Sequence, residues 1–373
     1  MRQYFFTGSY EPAGSPGICG FSYDHETHSL KKEFTCDAVA QPSYLTVSRD
    51  WRHLYAVSET DDTGEVVSFS IDPMGKLHLL NRAPASGGQL CHIAVNPDKT
   101  YLAAAGFQSG TVDVYRLMVD GSIGCHIHSD LHTGHGPHPT RQECPHAHFV
   151  AFRPGMQNRL LAIDLGNDRI YQYEIRQFPE RAELLGTIAI PAGHGPRHLV
   201  FHPTHPEIVY LVCEIEYRVH TLRLSADGGE LLGTTNCMPP NFHGFGGAAA
   251  IRISADGTRL YVTNRILQPE PGLDCIAFFD LDAKTGLPGA PHYVKTGAFP
   301  RDMNLLEDHL AVACQFDNRL DILACSSEGI CPEPIASCQV PSVCCITDAH
   351  ECDSSGKLFF QRKGARLPSG AID

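Results

Sequence analysis

The sequence has a single tryptophan, six methionines and no apolar stretch near the roughly 18 residues that a membrane-spanning helix needs. A membrane protein built on such helices is not expected. Residues 1–14 contain only the short run Tyr4-Phe5-Phe6, with no small-residue cleavage site behind a longer apolar region, so no secretory signal is expected either. Positive charge is scarce: 29 Lys and Arg against 42 Asp and Glu leave a formal charge of −13. That balance argues against a nonspecific grip on nucleic acid or on an anionic membrane surface, while local arginines could still hold a small anion. The 15 cysteines are odd in number and include no CxxC pair. Neither a disulfide framework nor a zinc ribbon is expected, and the thiols read as reduced, in a cytoplasmic protein. Phosphate-binding loop, dinucleotide fingerprint and nucleophile elbow are missing in any convincing context, so nucleotide chemistry and a covalent serine mechanism are disfavoured and no cofactor is expected.

What is present is a repeat. A hydrophobic content of 42% over 373 residues supplies a large core, and 34 glycines with 26 prolines punctuate it with many turns, which favours short strands. One pattern recurs: a β-prone run, a turn with Asp, Pro or Gly, a second β-prone run and an abrupt polar end. Copies begin at Pro42, Cys91, Ala147, Arg197, Ala250 and Arg301, and several end at residues of one kind of place: Glu59, Asp164, Glu214, Arg265 and Gln315. A third run and a turn to a fourth follow, as in Gly64–Asp72 before Gly75-Lys-Leu77. Four strands in about 50 residues is the signature of a propeller blade, and the chain has room for seven.

The seventh unit is divided between the two ends. Tyr4–Tyr10 reads as a second strand lacking its first, and Pro341–Asp348 reads as a first strand lacking its second. Pairing them predicts an all-β, seven-bladed propeller of four-stranded blades, its ring closed by N- and C-terminal strands. The expected organisation is one domain over residues 1–350 and a solvated extension over 351–373, with Lys357–Gln361 as a further strand.

In a blade the first two strands form the innermost hairpin, so residues entering the first and leaving the second share one mouth of the central tunnel. His146, His148, Arg197, His198, Glu214, Arg265 and Arg301 all occupy such places. Alternation along a strand is expected to put His146 and His148 on one face, yet no third ligand has recognisable spacing, so no metal is expected. Arg301 is expected either to meet a ligand or to brace its loop through Asp302. Glu214 is expected to act in chemistry or to pair structurally with Arg197 or Arg265.

Gly136–His148, Asp164–Asp168, Gly195-Pro-Arg-His198, Ser254–Gly257 with Leu260–Arg265, and Phe299–Asp302 together resemble the propeller-type 6-phosphogluconolactonases, over about residues 3–347. The same family includes carboxymuconate lactonizing enzymes. The resemblance implies a catalytic set on His148, Arg197, Glu214 and Arg265, with His146, His198 and Arg301 in substrate binding. Where the family commonly has Asn-Glu, this chain has Cys213-Glu214. The implied function is hydrolysis of 6-phospho-D-glucono-1,5-lactone by base-activated water in the oxidative pentose phosphate route. Alternatives are a related sugar lactonase, a carboxymuconate-type cycloisomerase, or a non-enzymatic binding scaffold. The expected partner is a small anionic sugar lactone; the sequence carries no signal for oligomeric state.

Overall fold

The computed structural model describes residues 1–359, apart from 11–15, 62, 241, 243, 269–272, 327–328 and 354. Within it each repeat becomes an antiparallel sheet whose four strands run in chain order from the tunnel outward. The first complete blade comprises Leu45–Val47, His53–Ser58, Glu65–Ile71 and Leu77–Pro84, and four more blades of the same order begin at Leu90, Ala147, Pro196 and Phe245. The sixth begins at Pro300, its outermost strand split into Gly329–Ile330 and Ala336–Gln339. In the seventh, Val343–Ile346 pairs antiparallel with Arg2–Ser9, which continues to Ile18–Asp24 and Ser29–Cys36. The expected closure is therefore present: the chain's last inner strand completes the blade that its first strand opens.

Burial explains the strand sequences. Second strands such as His53–Ser58, Tyr101–Gly106, Ile208–Cys213 and His309–Cys314 are buried at every position, because both faces pack on neighbouring blades. They read as continuous apolar runs. Outer strands such as Leu77–Pro84 have half-buried and exposed positions only, and there polar residues enter the pattern. The core is divided into seven apolar clusters, each joining two adjacent blades. Tyr4, Phe6, Leu45 and Leu54 meet between the seventh and first blades, and Phe5, Phe21, Ala311 and Val343 between the sixth and seventh. Beyond the closing strand, His350–Cys352 also pairs with the first strand, and Leu358 of the segment expected as a further strand forms one bridge to Cys352. Cys352 and Leu358 are buried in the cluster that contains Trp51. Residues 360–373 lie outside the described residues.

Closure gives a direct expectation. Deleting the chain from Pro341 onward removes the partner of Arg2–Ser9 and opens one cluster on each side of the seventh blade. That variant should lose its cooperative thermal transition or elute as an expanded or aggregated species, whereas deletion after Arg366 should melt like the intact chain. Identical melting and elution of both would overturn the closure.

Candidate active site

A repeated irregularity aims side chains into the tunnel. In the inner hairpins the pairing register slips at Cys91, His148, Arg197, Arg301 and Cys344, each the second or third residue of its entry segment. Such a bulge leaves one residue without a cross-strand partner and turns it toward the same side as its successor. Four of these residues, Cys91, Arg197, Arg301 and Cys344, enclose with Ser43, Tyr44, His198 and Asp302 one small space of about 10 Å³. The expected strict alternation does not hold at His148: the strand is bulged there, and His146 precedes it.

A second repeated contact fixes the exits. The amides of Tyr10, Glu59, Phe107, Leu165, Glu214 and Gln315 donate to the carbonyls of Ser342, Gln41, Gln89, His146, Gly195 and Phe299. Of those acceptors, Gln41, Gln89, Gly195, Phe299 and Ser342 have φ between 46° and 62°, so the same left-handed residue opens five inner strands. Exit residues are thereby held next to bulge residues around one mouth.

Glu214 is the hub. Its Oε2 accepts from Arg265 Nη2 at 2.8 Å and from Arg197 Nε at 3.2 Å, and its Oε1 accepts from Arg141 Nη2. Burial works to raise the carboxyl pKa, but Arg265, Arg141 and Arg197 outweigh it and hold the group well below the usual carboxylate range. Gly247 makes this approach possible, since a Cβ there would lie 2.9 Å from Glu214 Cγ and 3.2 Å from Arg265 Nη2. Arg197 also donates to the Ala249 carbonyl at 2.7 Å, and Arg265 lies 5.1 Å over the Phe299 ring. Arg141 is different: 31% of its side chain is exposed, and it reaches in over Phe107 from the long segment between blades.

His148 stands beside this cluster, its ring edge-on to Phe107 at 5.6 Å and to His198 at 5.2 Å. Burial, reinforced by Arg197, pushes its pKa well below the ordinary histidine value, so the ring is neutral. Its Nδ1 is buried with no hydrogen-bond partner among the described residues. His146 turns elsewhere. It stacks on Phe107 at 4.3 Å and bonds the Phe107 carbonyl through Nδ1 at 2.8 Å. His198 sits below the mouth, its Nε2 3.2 Å from Arg197 Nη1, in an aromatic plug with Tyr44, His92 and Phe149. Arg301 does not brace its loop through Asp302, which pairs instead with Arg252 at 2.9 Å. Arg301 donates to the Tyr10 hydroxyl at 2.6 Å, and that hydroxyl donates to Glu59 Oε2 at 2.8 Å. Burial raises the Glu59 pKa against the pull of Arg301.

Cys91 adjoins His148, but it is no thiolate: burial raises its pKa, and its Sγ lies 3.5 Å from the carbonyls of Ala147 and His148. A larger cavity of about 620 Å³ opens at the other mouth, beyond the plug, lined mainly by aliphatic inner-strand residues. That cavity also holds His92 and Asp348, and its guanidinium, Arg252, is paired with Asp302.

The family description "Lactonase, 7-bladed beta-propeller" matches residues 4–347. The chain belongs to this lactonase family. It is 31% identical over 307 residues to a 6-phosphogluconolactonase of Bacillus subtilis, covering 81% of this chain and 85% of the relative. A Bacteroides fragilis structure proposed as a 6-phosphogluconolactonase superposes with a TM-score of 0.85 at 28% identity, over 94% of this chain and 98% of that one. The periplasmic gluconolactonase PpgL of Pseudomonas aeruginosa gives 0.85 at 26% identity, over 93% and 98%.

In this lactonase-family chain the structure gathers His148, Arg197, Glu214 and Arg265 as expected and adds Arg141, Phe107, Tyr10 and Glu59. Tyr10 and Glu59 occupy the exit place of the repeat, so the repeat register was the signal for them. Arg141 lies outside the repeat and carries no such signal.

The buried imidazoles set a pH dependence. His92, His148 and His198 all have pKa values pushed well below 6.5 by burial. Below about pH 6.5 the unfolded chain takes up protons that the folded one refuses, so stability falls as pH falls there, by about 1.4 kcal/mol per pH unit per group. Replacing His92 by Asn, which keeps an acceptor for the Val150 amide, should make the decline between pH 6.5 and 5 shallower by about one such proton. Denaturant midpoints across that range check it; an unchanged slope would contradict a neutral buried His92.

Proposed function

We propose that the chain is a 6-phosphogluconolactonase, hydrolysing 6-phospho-D-glucono-1,5-lactone to 6-phosphogluconate in the cytoplasm, within the oxidative pentose phosphate route. The observation that carries this reading is the charge of the mouth. Three guanidiniums surround the single carboxylate of Glu214, leaving two positive charges in a chain of formal charge −13. A buried excess of that sign suits a phosphorylated substrate and an oxyanion. Planar guanidinium groups meet a phosphate or carboxylate in pairs of parallel hydrogen bonds, which an ammonium cannot do.

In this mechanism His148 is the base. A neutral imidazole with a free buried nitrogen accepts the proton of water as the water oxygen bonds to the lactone carbonyl carbon. The carbonyl oxygen becomes an oxyanion beside the arginines. Collapse breaks the bond to the ring oxygen, which takes the proton back from His148 and leaves as a hydroxyl, giving the open acid. Glu214 is a poor base because three arginines hold it ionised, and its part is to position Arg197 and Arg265. Arg141, the exposed member, meets the substrate as it arrives, with Arg301, His146 and His198 lining the approach and the floor.

Turnover of freshly generated 6-phosphogluconolactone should exceed that of gluconolactone and of a muconate lactone. Hydrolysis of gluconolactone alone would replace the named substrate and keep the lactonase chemistry; conversion of the muconate lactone alone would make the chain a cycloisomerase. Equal background rates on all three would leave a binding scaffold.

The two candidate bases separate by kinetics. His148→Asn should lower kcat about 10²-fold or more with the fold intact, whereas Glu214→Gln should act mainly by raising KM. The acidic limb of the pH profile should disappear in His148→Asn. Its survival there, with loss in Glu214→Gln, would reverse the two roles.

A further inference from the structure

Cys213, the residue before Glu214, is fully buried, and two imidazoles converge on it from other parts of the fourth complete blade. His194 lies in the segment that leads to Arg197, and His220 lies on the third strand, Arg218–Leu224. One ligand atom from each, the Cys213 sulfur and a ring nitrogen of each histidine, can be chosen so that all lie within 4.8 Å of one another. His194 Nδ1 and His220 Nε2 face each other at 3.0 Å. The other nitrogen of His220, Nδ1, is 2.8 Å from Thr234 Oγ1. None of these side chains takes part in the lactone chemistry proposed above.

We propose that His194, Cys213 and His220 form a binding site for one zinc-type divalent ion, with solvent as the fourth ligand on the side of the half-buried His194. Two imidazole nitrogens and one sulfur are the donors that such a borderline ion selects. Tetrahedral bonds of about 2.0–2.1 Å to nitrogen and about 2.3 Å to sulfur would set the two nitrogens about 3.3 Å apart, so the facing rings need to separate by only a few tenths of an ångström. Thr234 can accept from Nδ1–H of His220, which fixes the tautomer that presents the Nε2 lone pair to the ion. The proton that His194 Nδ1 gives to that lone pair in the metal-free protein moves to its own Nε2. The Cys213 thiol releases its proton to solvent as the sulfur bonds the ion, so one proton leaves for each ion bound.

The surroundings accommodate the charge. An ion of charge +2 on one thiolate leaves +1, and the Asp168 carboxylate stands close to both His194 and Cys213. Asp168 is fixed there by the amides of Gly193 and Gly195 at 2.7 and 2.8 Å. Glu216 acts on His194 with the same sign as Asp168, and Arg218 works in the opposite direction on both histidines. Binding would tie together the entry of one inner strand, the exit of the next and the third strand, one residue from Glu214 and three from Arg197.

The test uses the full-length protein after chelator treatment, titrated with Co²⁺ alone. One equivalent should bind, with the near-ultraviolet thiolate-to-cobalt absorption and the intense visible bands of a tetrahedral site. Both should be absent in Cys213→Ser, which separates this thiol from the other 14. His194→Gln, at a half-buried position, should weaken Co²⁺ binding at least about tenfold while the metal-free melting temperature stays unchanged, and Zn²⁺ should raise the melting temperature of the wild type only. Absence of stoichiometric Co²⁺ binding in the wild type, or an unaltered thiolate band in Cys213→Ser, would overturn the site. Neither result bears on the lactonase reading, which the substrate assays decide.

Discussion

Everything in this molecule rests on the pairing of Val343–Ile346 with Arg2–Ser9. A propeller has no central layer of its own: its core is the set of seven clusters between blades, and each blade is buried on both faces only because it has two neighbours. Leaving the ring open would expose two of these faces and an unpaired strand edge. Closure also fixes the radius of the tunnel, and with it the distances at which residues from different blades meet. Glu214 and Arg265 are 51 positions apart in sequence and hydrogen-bonded in space for that reason.

Within the closed ring, the proposed site depends on a defect in the sheet. A regular inner strand would send every second side chain into an interblade cluster, leaving few to face the mouth. The bulge turns a residue and its successor to the same side, so Arg197 and His198, or Arg301 and Asp302, can both reach the tunnel from adjacent positions. Repetition of the bulge around the ring makes the mouth a circle of variable positions on a constant scaffold. Whether the circle carries Cys91 or Arg197 changes its chemistry and leaves the ladder alone.

The cluster at Glu214 is not a stability device. Taking Arg197, Arg265 and the Glu214 carboxylate out of water costs more than their pairing returns in a typical interior, and apolar residues of similar volume would serve the fold as well. Its arrangement suits the proposed chemistry as a preorganised field: with the charges fixed before a ligand arrives, that reaction would need no reorganisation when an oxyanion forms. The neutral His148 next to it follows from the same burial, since the low-dielectric mouth and Arg197 together disfavour an imidazolium.

The strand periods, the 50-residue repeat and the split seventh blade were legible in the sequence because they follow from local rules, alternation and turn chemistry, that each segment obeys alone. The register of the repeat also places His148, Arg197, Glu214 and Arg265 at one mouth. What it could not supply was direction. The bulge at His148 breaks the alternation that would have paired it with His146, and a one-residue slip is invisible in a run of apolar letters. Arg141 comes from a segment outside the repeat, and His194, Cys213 and His220 lie on three separate elements with no motif spacing. The blades and their number need only short-range pattern, which the chain carries in each segment. Which side chains meet, and which of them lose their water, was decided by the tertiary structure, because contact and desolvation depend on the closed ring as a whole.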